Sequence, residues 1–313
     1  MPGERTGGGF GDRLTNLVAA RRSQLVLGLD PDPSCLWPRA VELAGGAGKP
    51  PAARAALAVE AHCTLAIEAV AEHCLGVKLQ VACFERLGAP GWAAMGEVAE
   101  RARDHGLLVI ADAKRGDIEV SAAAYAQAFL SETATVYGPV AGLRADALTV
   151  NPLLGTDSLQ PFVDAACEVD GGLFVLVRTS NPGAADLQEL ILADGGSVSE
   201  RLASIVAALG AAPVGSARLS DVGAVVGATA PERLQTLREL MPHAVFLMPG
   251  VGAQGGRVED LAAAFEPGPA GGLISASRGI VGAHERSGGD PAQAARREAE
   301  RVRELAWTLA AGG

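Results

Sequence analysis

The stretch LLVIADAKRGDIEV (residues 107–120) begins as an apolar run and ends abruptly in charged residues. Its first six residues have the composition of a buried β-strand, and four charged side chains follow between Asp112 and Asp117. One of them is Lys114, although Lys49 and Lys78 are the only other lysines in the chain. Arginine would serve equally well as a solvated charge, but it cannot give up its proton. The use of lysine therefore indicates a chemical role, with a solvated run of charges as the alternative.

Seven further apolar runs share the length and composition of this one. With it they form the set 25–30, 76–81, 107–112, 147–151, 173–178, 222–227, 244–249 and 272–277. They are nearly continuous rather than alternating, which is typical of parallel strands covered on both faces. Helical patterns lie between them, at 51–74, 91–106, 197–210, 231–242 and 291–311.

The alternation of strands and helices predicts an α/β fold, a TIM (β/α)₈ barrel in a single domain. A doubly wound sheet is the alternative, but no G-x-G-x-x-G motif follows the first strand, where the chain reads GLDPDP. The 313 residues exceed the roughly 250 typical of such a barrel. We assign the surplus to loop and helix insertions at 33–51, 131–146 and 183–220. Residues 1–12 are predicted to form a flexible lead-in, and 13–313 the barrel domain.

Charge and composition exclude several classes of protein. The net charge of −10 disfavours general binding to nucleic acid or to anionic membranes. No apolar run approaches the roughly 20 residues of a membrane span, and the first residues lack the apolar segment of a secretory signal. The five cysteines include no C-x-x-C motif, and the five histidines have no metal-ligand spacing. These features predict a cytoplasmic protein with reduced cysteines, no metal and no nucleic-acid or membrane partner.

A barrel of this type carries its catalytic groups at the C-terminal ends of its strands. Polar residues, or proline and glycine, occupy nearly all of these ends: Asp30, Lys78, Asp112 with Lys114, Asn151, Arg178 with Thr179 and Ser180, Pro249 with Gly250, and Ser277 with Arg278. Residues i and i+2 of a strand point to the same side, so Asp112 and Lys114 are both expected to face the mouth of the barrel. The convergence of so many polar ends predicts one site.

Two glycine-containing loops predict an anion site. MPGVGAQGGR (248–257) follows the seventh strand and SASRGI (275–280) the eighth, which are the loops that often bind phosphate in such barrels. Backbone N–H groups and Arg278 supply suitable donors. After the fifth strand, RTSNPG (178–183) offers hydroxyl and amide groups for a planar polar ring, or alternatively forms a turn that caps the next helix.

Taken in order along the chain, these motifs resemble those of orotidine 5′-phosphate decarboxylases, in the form typical of the longer bacterial branch. The matching segments are LGLDPDP, VKLQ, DAKRGDI, TSNPG, PGVGAQGG and SRGI. The D-x-K-x-x-D core alone is shared with magnesium-dependent sugar-phosphate decarboxylases of the same superfamily, which is one alternative. A Schiff-base aldolase-type barrel and a non-catalytic barrel that binds nucleotide phosphate are others.

The resemblance implies conversion of orotidine 5′-phosphate to uridine 5′-phosphate and CO₂ without a cofactor, by a homodimer whose active sites lie at the subunit interface. It implies that Lys114 donates a proton to C6 of the pyrimidine, that Asp112 lies beside the leaving CO₂ and that Asp117 comes from the partner subunit. The implied substrate contacts are Asp30 and Lys78 for the ribose, Ser180 for the pyrimidine, Gln254 and Arg278 for the phosphate, and Ser121 across the interface. The strand-end residues Asn151, Pro249 and Ser277 complete the predicted set.

Overall fold

The computed structural model describes residues 8–312. Eight parallel strands close into a barrel in which each strand pairs with its neighbours in the sequence and the eighth returns to the first. The strands are β1 (Leu25–Leu29), β2 (Gly76–Gln80), β3 (Leu108–Arg115), β4 (Ala147–Val150), β5 (Gly172–Arg178), β6 (Val222–Val226), β7 (Phe246–Pro249) and β8 (Gly272–Ala276). The predicted TIM barrel is therefore confirmed.

Helices surround the barrel and cover one of its ends. They are α1 (Phe10–Arg21), α2 (Pro38–Ala44), α3 (Pro51–Val70), α4 (Val81–Glu85), α5 (Ala89–Asp104), α6 (Glu119–Phe129), α7 (Thr156–Glu168), α8 (Val198–Leu209), α9 (Leu234–Leu240), α10 (Arg278–Val281), α11 (Ala283–Ser287) and α12 (Pro291–Ala311). Short 3₁₀ turns occupy Pro182–Asp186, Pro231–Arg233, Val258–Asp260, Ala262–Phe265 and Pro269–Gly271. No helix among residues 8–312 is both long enough and apolar enough to span a membrane.

Local sequence signals account for the ends of several helices. Ser197 caps α8 in a reciprocal capping box with Glu200, as its spacing predicts. Asp290 accepts a hydrogen bond from the backbone N–H of Gln293 at the start of α12. Gly106, just after α5, has a φ of 65°, a left-handed conformation that favours glycine at the end of a helix.

The barrel has two apolar layers. Alternate strand residues such as Val26, Ile110 and Leu247 fill the interior together with Phe10 and Leu14 of α1. The intervening residues pack outward against the surrounding helices. Helix α1 closes the N-terminal end of the barrel, because Arg21 donates to the carbonyls of Cys74 and His105, which precede β2 and β3. This plug leaves the opposite, C-terminal end of the interior open.

The same alternation brings the polar strand ends into the barrel mouth. Val26 lies inside on β1, and Asp30 follows it by four residues. Ile110 lies inside on β3, two residues before Asp112. Because strand side chains alternate with a period of two, residues that share the parity of the interior apolar positions point inward as well. The interior is therefore apolar near α1 and polar at the mouth.

Some boundaries differ from those predicted. Strand β3 continues to Arg115 rather than ending at Asp112, and its pairing with β4 shifts register between Ala111 and Arg115. The stretch 183–220 is not all insertion, because it contains α8, the helix that links β5 to β6. Of the predicted lead-in, residues 1–7 lie outside the described residues, and α1 begins at Phe10, whose ring packs edge-on against Phe174.

Candidate active site

A chain of alternating charges lines the mouth of the barrel across β1, β2 and β3. Lys78 Nζ lies 3.8 Å from Asp30 Oδ1 and 2.6 Å from Asp112 Oδ2. Lys114 Nζ lies 2.5 Å from Asp112 Oδ1. The side chain of Lys78 is 7% exposed and that of Lys114 is 42% exposed. The chain of charges therefore runs from a buried ammonium to one that is accessible from the mouth.

Asp112 is the centre of this arrangement, and its carboxylate is fully engaged. Oδ1 also accepts a hydrogen bond from Thr149 Oγ1 at 2.9 Å, and Oδ2 accepts one from Gln80 Nε2 at 3.2 Å. Burial opposes the charged form of Asp112, but the ammonium groups of Lys78 and Lys114 outweigh it and hold the pKa of this carboxyl well below its usual range. Asp112 is consequently a fixed negative charge.

Lys78 is held in its charged form by the same contacts. Its burial alone would favour the neutral amine, but the carboxylates of Asp112 and Asp30 reverse that effect and raise its pKa. Thr149 and Gln80 were not among the residues predicted from the sequence. Strand alternation could have identified both. Thr149 lies two residues before Asn151 and Gln80 two residues after Lys78, so each points to the same side of its strand as a predicted site residue.

The backbone at Lys114 is unusual for a strand. Its φ of 49° lies in the left-handed region, where a side chain with a Cβ is strained. The Lys114 N–H donates to Thr149 Oγ1 at 2.9 Å, and the next carbonyl, of Arg115, accepts from Asn151 N at 2.7 Å. Asp112 and Lys114 do meet, as predicted, but through this irregular turn of β3 rather than through regular strand alternation.

Arg115 anchors the strained segment from outside the mouth. Its guanidinium forms an ion pair with Glu85 of α4 and lies 5.3 Å from the ring centre of Tyr125 and 5.5 Å from that of Phe129, both on α6. Side chains of two helices therefore fix the residue next to Lys114, and they offset the strain of its backbone.

The opposite side of the mouth is built around Gly250, which follows β7. A Cβ placed on Gly250 would lie 3.0 Å from Gln254 Oε1, 3.1 Å from Ser180 Cβ and 3.2 Å from Thr229 Cγ2. Its φ of 101° also requires glycine. Ser180 and Gln254, which were predicted from separate loops, thus lie beside each other, and Thr229 joins them by donating to the Ser180 carbonyl at 3.1 Å.

Ser277 and Arg278 begin the single helical turn that follows β8. A Cβ on Gly28 of β1 would lie 2.7 Å from Ser277 Cβ, so this turn presses closely against the first strand. The Arg278 side chain is exposed. Among residues 8–312 none forms a hydrogen bond or an ion pair with its guanidinium, which is free to bind an anion. Pro249 pairs with Ser275 at the end of β7, on the same rim.

Among residues 8–312, no hydrogen bond or ion pair joins Asp117, Ser121 or Asn151 to the charged chain or to the residues around Gly250. The Asp117 carboxylate accepts a hydrogen bond from the N–H of Ile118, at the exposed rim. Ser121 lies in the first turn of α6 with its side chain exposed. Asn151 Oδ1 accepts from Leu153 N at 3.0 Å and so caps the turn after β4. Within the described part of the chain, no cluster of three or more acidic, histidine or cysteine side chains is suited to hold a metal ion.

A cavity of about 300 Å³ adjoins this mouth between the loops after β8 and β1, with Asp30, Arg278 and His62 in its lining. Burial, with a smaller effect from His284, lowers the pKa of His62 to about 4. Its Nδ1 accepts a hydrogen bond from the backbone N–H of Trp37 at 3.1 Å, which requires an unprotonated nitrogen. His62 is therefore a neutral structural histidine.

We expect the free energy of unfolding to decrease as the pH falls from about 6.5 to about 4, because the unfolded chain binds a proton at His62 in that range and the folded chain does not. The contribution is about 1.4 kcal/mol per pH unit and about 3 kcal/mol in all. Urea unfolding at several pH values should show a shallower dependence for His62→Gln than for the wild type. Parallel pH profiles of the two proteins would contradict this.

The comparison with known proteins agrees with the motifs and the barrel. A model of the orotidine 5′-phosphate decarboxylase / HUMPS family matches residues 23–297. The chain belongs to this family.

Relatives in the orotidine 5′-phosphate decarboxylase family match most of the chain. The orotidine 5′-phosphate decarboxylase of Rhodopirellula baltica is 46% identical over 224 residues, covering 72% of this chain and 73% of the relative. That of Deinococcus radiodurans is 44% identical over 272 residues, covering 87% and 88%. The structure of Leishmania donovani OMP decarboxylase has a TM-score of 0.69 to this barrel at 33% identity, covering 95% of this chain and 99% of the other.

Proposed function

We propose that this protein decarboxylates orotidine 5′-phosphate to uridine 5′-phosphate and CO₂ without a metal or an organic cofactor. The observation that carries the proposal is the accessible ammonium of Lys114, held 2.5 Å from the buried carboxylate of Asp112 at the mouth of the barrel. Membership of the orotidine 5′-phosphate decarboxylase family supports the choice of substrate.

The chemistry requires a positive charge beside one carbon atom. When the C6–CO₂ bond breaks, CO₂ leaves without the bonding electrons, which remain at C6 of the pyrimidine as a carbanion. The Lys114 ammonium stabilises that charge and then transfers a proton from Nζ to C6, so that the lysine ends as a neutral amine. Because Asp112, which is itself held by Lys78, fixes the position of Lys114 before the reaction, little reorganisation is needed in the transition state.

The remaining predicted contacts divide between the two ends of the substrate. Asp30 and Lys78 lie within 3.8 Å of each other at β1 and β2 and are suited to ribose hydroxyls. Ser180 is suited to the pyrimidine ring, and Gln254 and Arg278 to the phosphate. The phosphate is remote from C6, so its binding energy can be used to order the loop 250–257 and assemble the site.

One feature of Asp112 favours this reaction over that of a magnesium-dependent sugar-phosphate decarboxylase. Each of its carboxylate oxygens already accepts from one ammonium and one neutral donor. A divalent cation at this carboxylate would have to displace at least one of these four donors, and displacing a lysine costs the charge pairing that now offsets the burial of Asp112. The arrangement is suited to fixed ammonium groups rather than to a metal.

We propose further that two copies form a homodimer in which Asp117 completes the partner's site. Asp117 is followed by exposed apolar side chains, and more of them lie on the next two loops around the barrel mouth. They are Ile118 and Val120 after β3, Leu153 and Leu154 after β4, and Leu187, Leu190 and Ile191 after β5. Exposed apolar side chains on three neighbouring loops are typical of a protein interface. We also propose a cytoplasmic location, in keeping with the five free cysteines.

The test is loss of orotidine 5′-phosphate absorbance on adding protein that has been stripped of metal with EDTA. We expect turnover at the same rate before and after this treatment, with uridine 5′-phosphate as the product. Activity that is abolished by EDTA and restored by magnesium would favour the sugar-phosphate alternative. An adduct trapped by borohydride would favour a Schiff-base lyase, and binding of nucleotide without turnover would favour a non-catalytic barrel.

Arg115 should affect the rate of the chemical step through Lys114. We expect Arg115→Lys to lower kcat by about tenfold, equivalent to about 1.4 kcal/mol, because lysine cannot reproduce the planar stack and ion pair that hold this segment. KM should change little, since Arg115 lies away from the proposed phosphate contacts. Steady-state kinetics measure both constants. A matched Arg101→Lys variant, on the exposed face of α5, should behave as the wild type, and an unchanged kcat in Arg115→Lys would refute the role.

A further inference from the structure

The loop after β1 contacts the turn after β8 that carries Arg278, at the point where pairing of these two strands closes the barrel. Trp37, in the predicted insertion 33–51, donates from its indole Nε1 to the carbonyl of Val281 at 3.1 Å. Val281 is the last residue of α10, whose first residue is Arg278. Trp37 and Arg278 also line the same cavity, which adjoins the mouth of the barrel.

External contacts help to fix helix α10. It has only four residues, so it makes few hydrogen bonds of its own and is marginal in isolation. Its last carbonyls lack partners within the helix, as at any helix C-terminus. The indole N–H of Trp37 satisfies one of these carbonyls and so fixes the turn relative to β1.

Trp37 is itself held rigidly. It is 4% exposed, and its backbone N–H donates to Nδ1 of His62 on α3. Its ring meets the imidazoles of His62 and His284 edge-on, with ring centres 5.3 Å and 6.4 Å apart. Contacts from two helices therefore fix the indole. Through its hydrogen bond to the Val281 carbonyl, the fixed indole restrains α10.

We propose that Trp37 is a positioning residue that fixes Arg278 for the substrate phosphate. This inference rests on the proposed function, and in particular on the proposed contact between Arg278 and the phosphate. It assigns a role to the start of the insertion 33–51: Trp37 does not touch the substrate, but it sets the place of the turn that does.

The test compares ligands that differ only in the phosphate. Trp37→Phe keeps an aromatic ring between His62 and His284 but removes the indole N–H. We expect KM for orotidine 5′-phosphate to rise about fivefold, the effect of losing one hydrogen bond, with kcat within about twofold of the wild type. By calorimetry the Kd of uridine 5′-phosphate should rise by the same factor, and the Kd of uridine should not change. Trp307→Phe, on α12, is the matched control and should leave all of these values unchanged.

A double-mutant cycle completes the test. In an Arg278→Ala background, Trp37→Phe should have no further effect, because the group that it positions is gone. Three outcomes would each overturn the positioning role while leaving the proposed reaction intact. They are an equal rise in the Kd of uridine and of uridine 5′-phosphate, an unchanged KM, and additive effects in the cycle. If Arg278→Ala alone leaves the binding of uridine 5′-phosphate unchanged, the phosphate contact itself is wrong and the inference falls with it.

Discussion

Lys114→Ala should lower kcat for orotidine 5′-phosphate by at least about 10³-fold, because one side chain supplies both the charge that stabilises the carbanion and the proton that quenches it. The fold should survive, since Asp112 keeps Lys78, Thr149 and Gln80 as partners. Binding of uridine 5′-phosphate should be retained, because the lost interaction belongs to the transition state rather than to the product.

Two further variants separate the possible reasons for such a loss. Lys114→Arg keeps a positive charge but cannot donate a proton at neutral pH, so we expect it to be nearly as inactive as the alanine variant. Lys49→Ala removes the third lysine of the chain, which is exposed before α3, and should leave kcat unchanged. Substantial turnover by Lys114→Ala, measured by the decrease in substrate absorbance, would end the proposed mechanism.

Mixing Lys114→Ala with Asp117→Ala should restore activity to a preparation in which each protein alone is inactive. In a two-fold symmetric dimer, a hybrid has one site with both residues intact and one site with neither. With equal amounts and full subunit exchange, half of the dimers are hybrids, so about 25% of the wild-type activity should return. Asp117 is suited to such sharing because, among residues 8–312, its carboxylate accepts a hydrogen bond from the N–H of the next residue and forms no ion pair.

The matched control uses Asp112, which contacts Lys114 directly within one chain. Mixing Lys114→Ala with Asp112→Ala cannot create an intact site, because both residues belong to the same half of each site. No recovery is therefore expected from that pair. Subunit exchange should be demonstrated independently with a tagged copy. Given exchange, failure of the first mixture to regain activity would indicate that Asp117 acts within its own subunit or not at all.

Much of the site was predictable because strands and helices alternate regularly along the chain and side chains alternate along each strand. Once eight apolar runs predict eight parallel strands, their polar C-terminal residues must meet at one end, and Asp30, Lys78 and Asp112 do so. Ser180 and Gln254 likewise converge on Gly250 from two loops. These placements follow from strand parity and chain order, both of which can be read from the amino-acid sequence.

Other features depend on contacts between residues far apart in the sequence. Thr149 and Gln80 reach Asp112 from β4 and β2 because of the register of the neighbouring strands. The contact between Lys114 and Asp112 arises from a left-handed residue and a shift of register, whereas the regular pattern predicted simple alternation. The position of Arg115 against Tyr125 and Phe129 likewise requires the packing of α6 on the barrel.

The pattern of apolar and charged residues is enough to predict the barrel, the end at which its site lies and the placement of a scarce lysine, Lys114, at the mouth beside Asp112. Folding of the whole chain sets which side chains saturate Asp112, how Lys114 is held, and the hydrogen bond by which Trp37, after β1, holds the turn of Arg278, after β8. Apolar periodicity is a local property of the chain and can be read directly from its residues. Hydrogen-bond partners 25 to 244 residues apart are set by closure and register, which form only when the whole barrel packs.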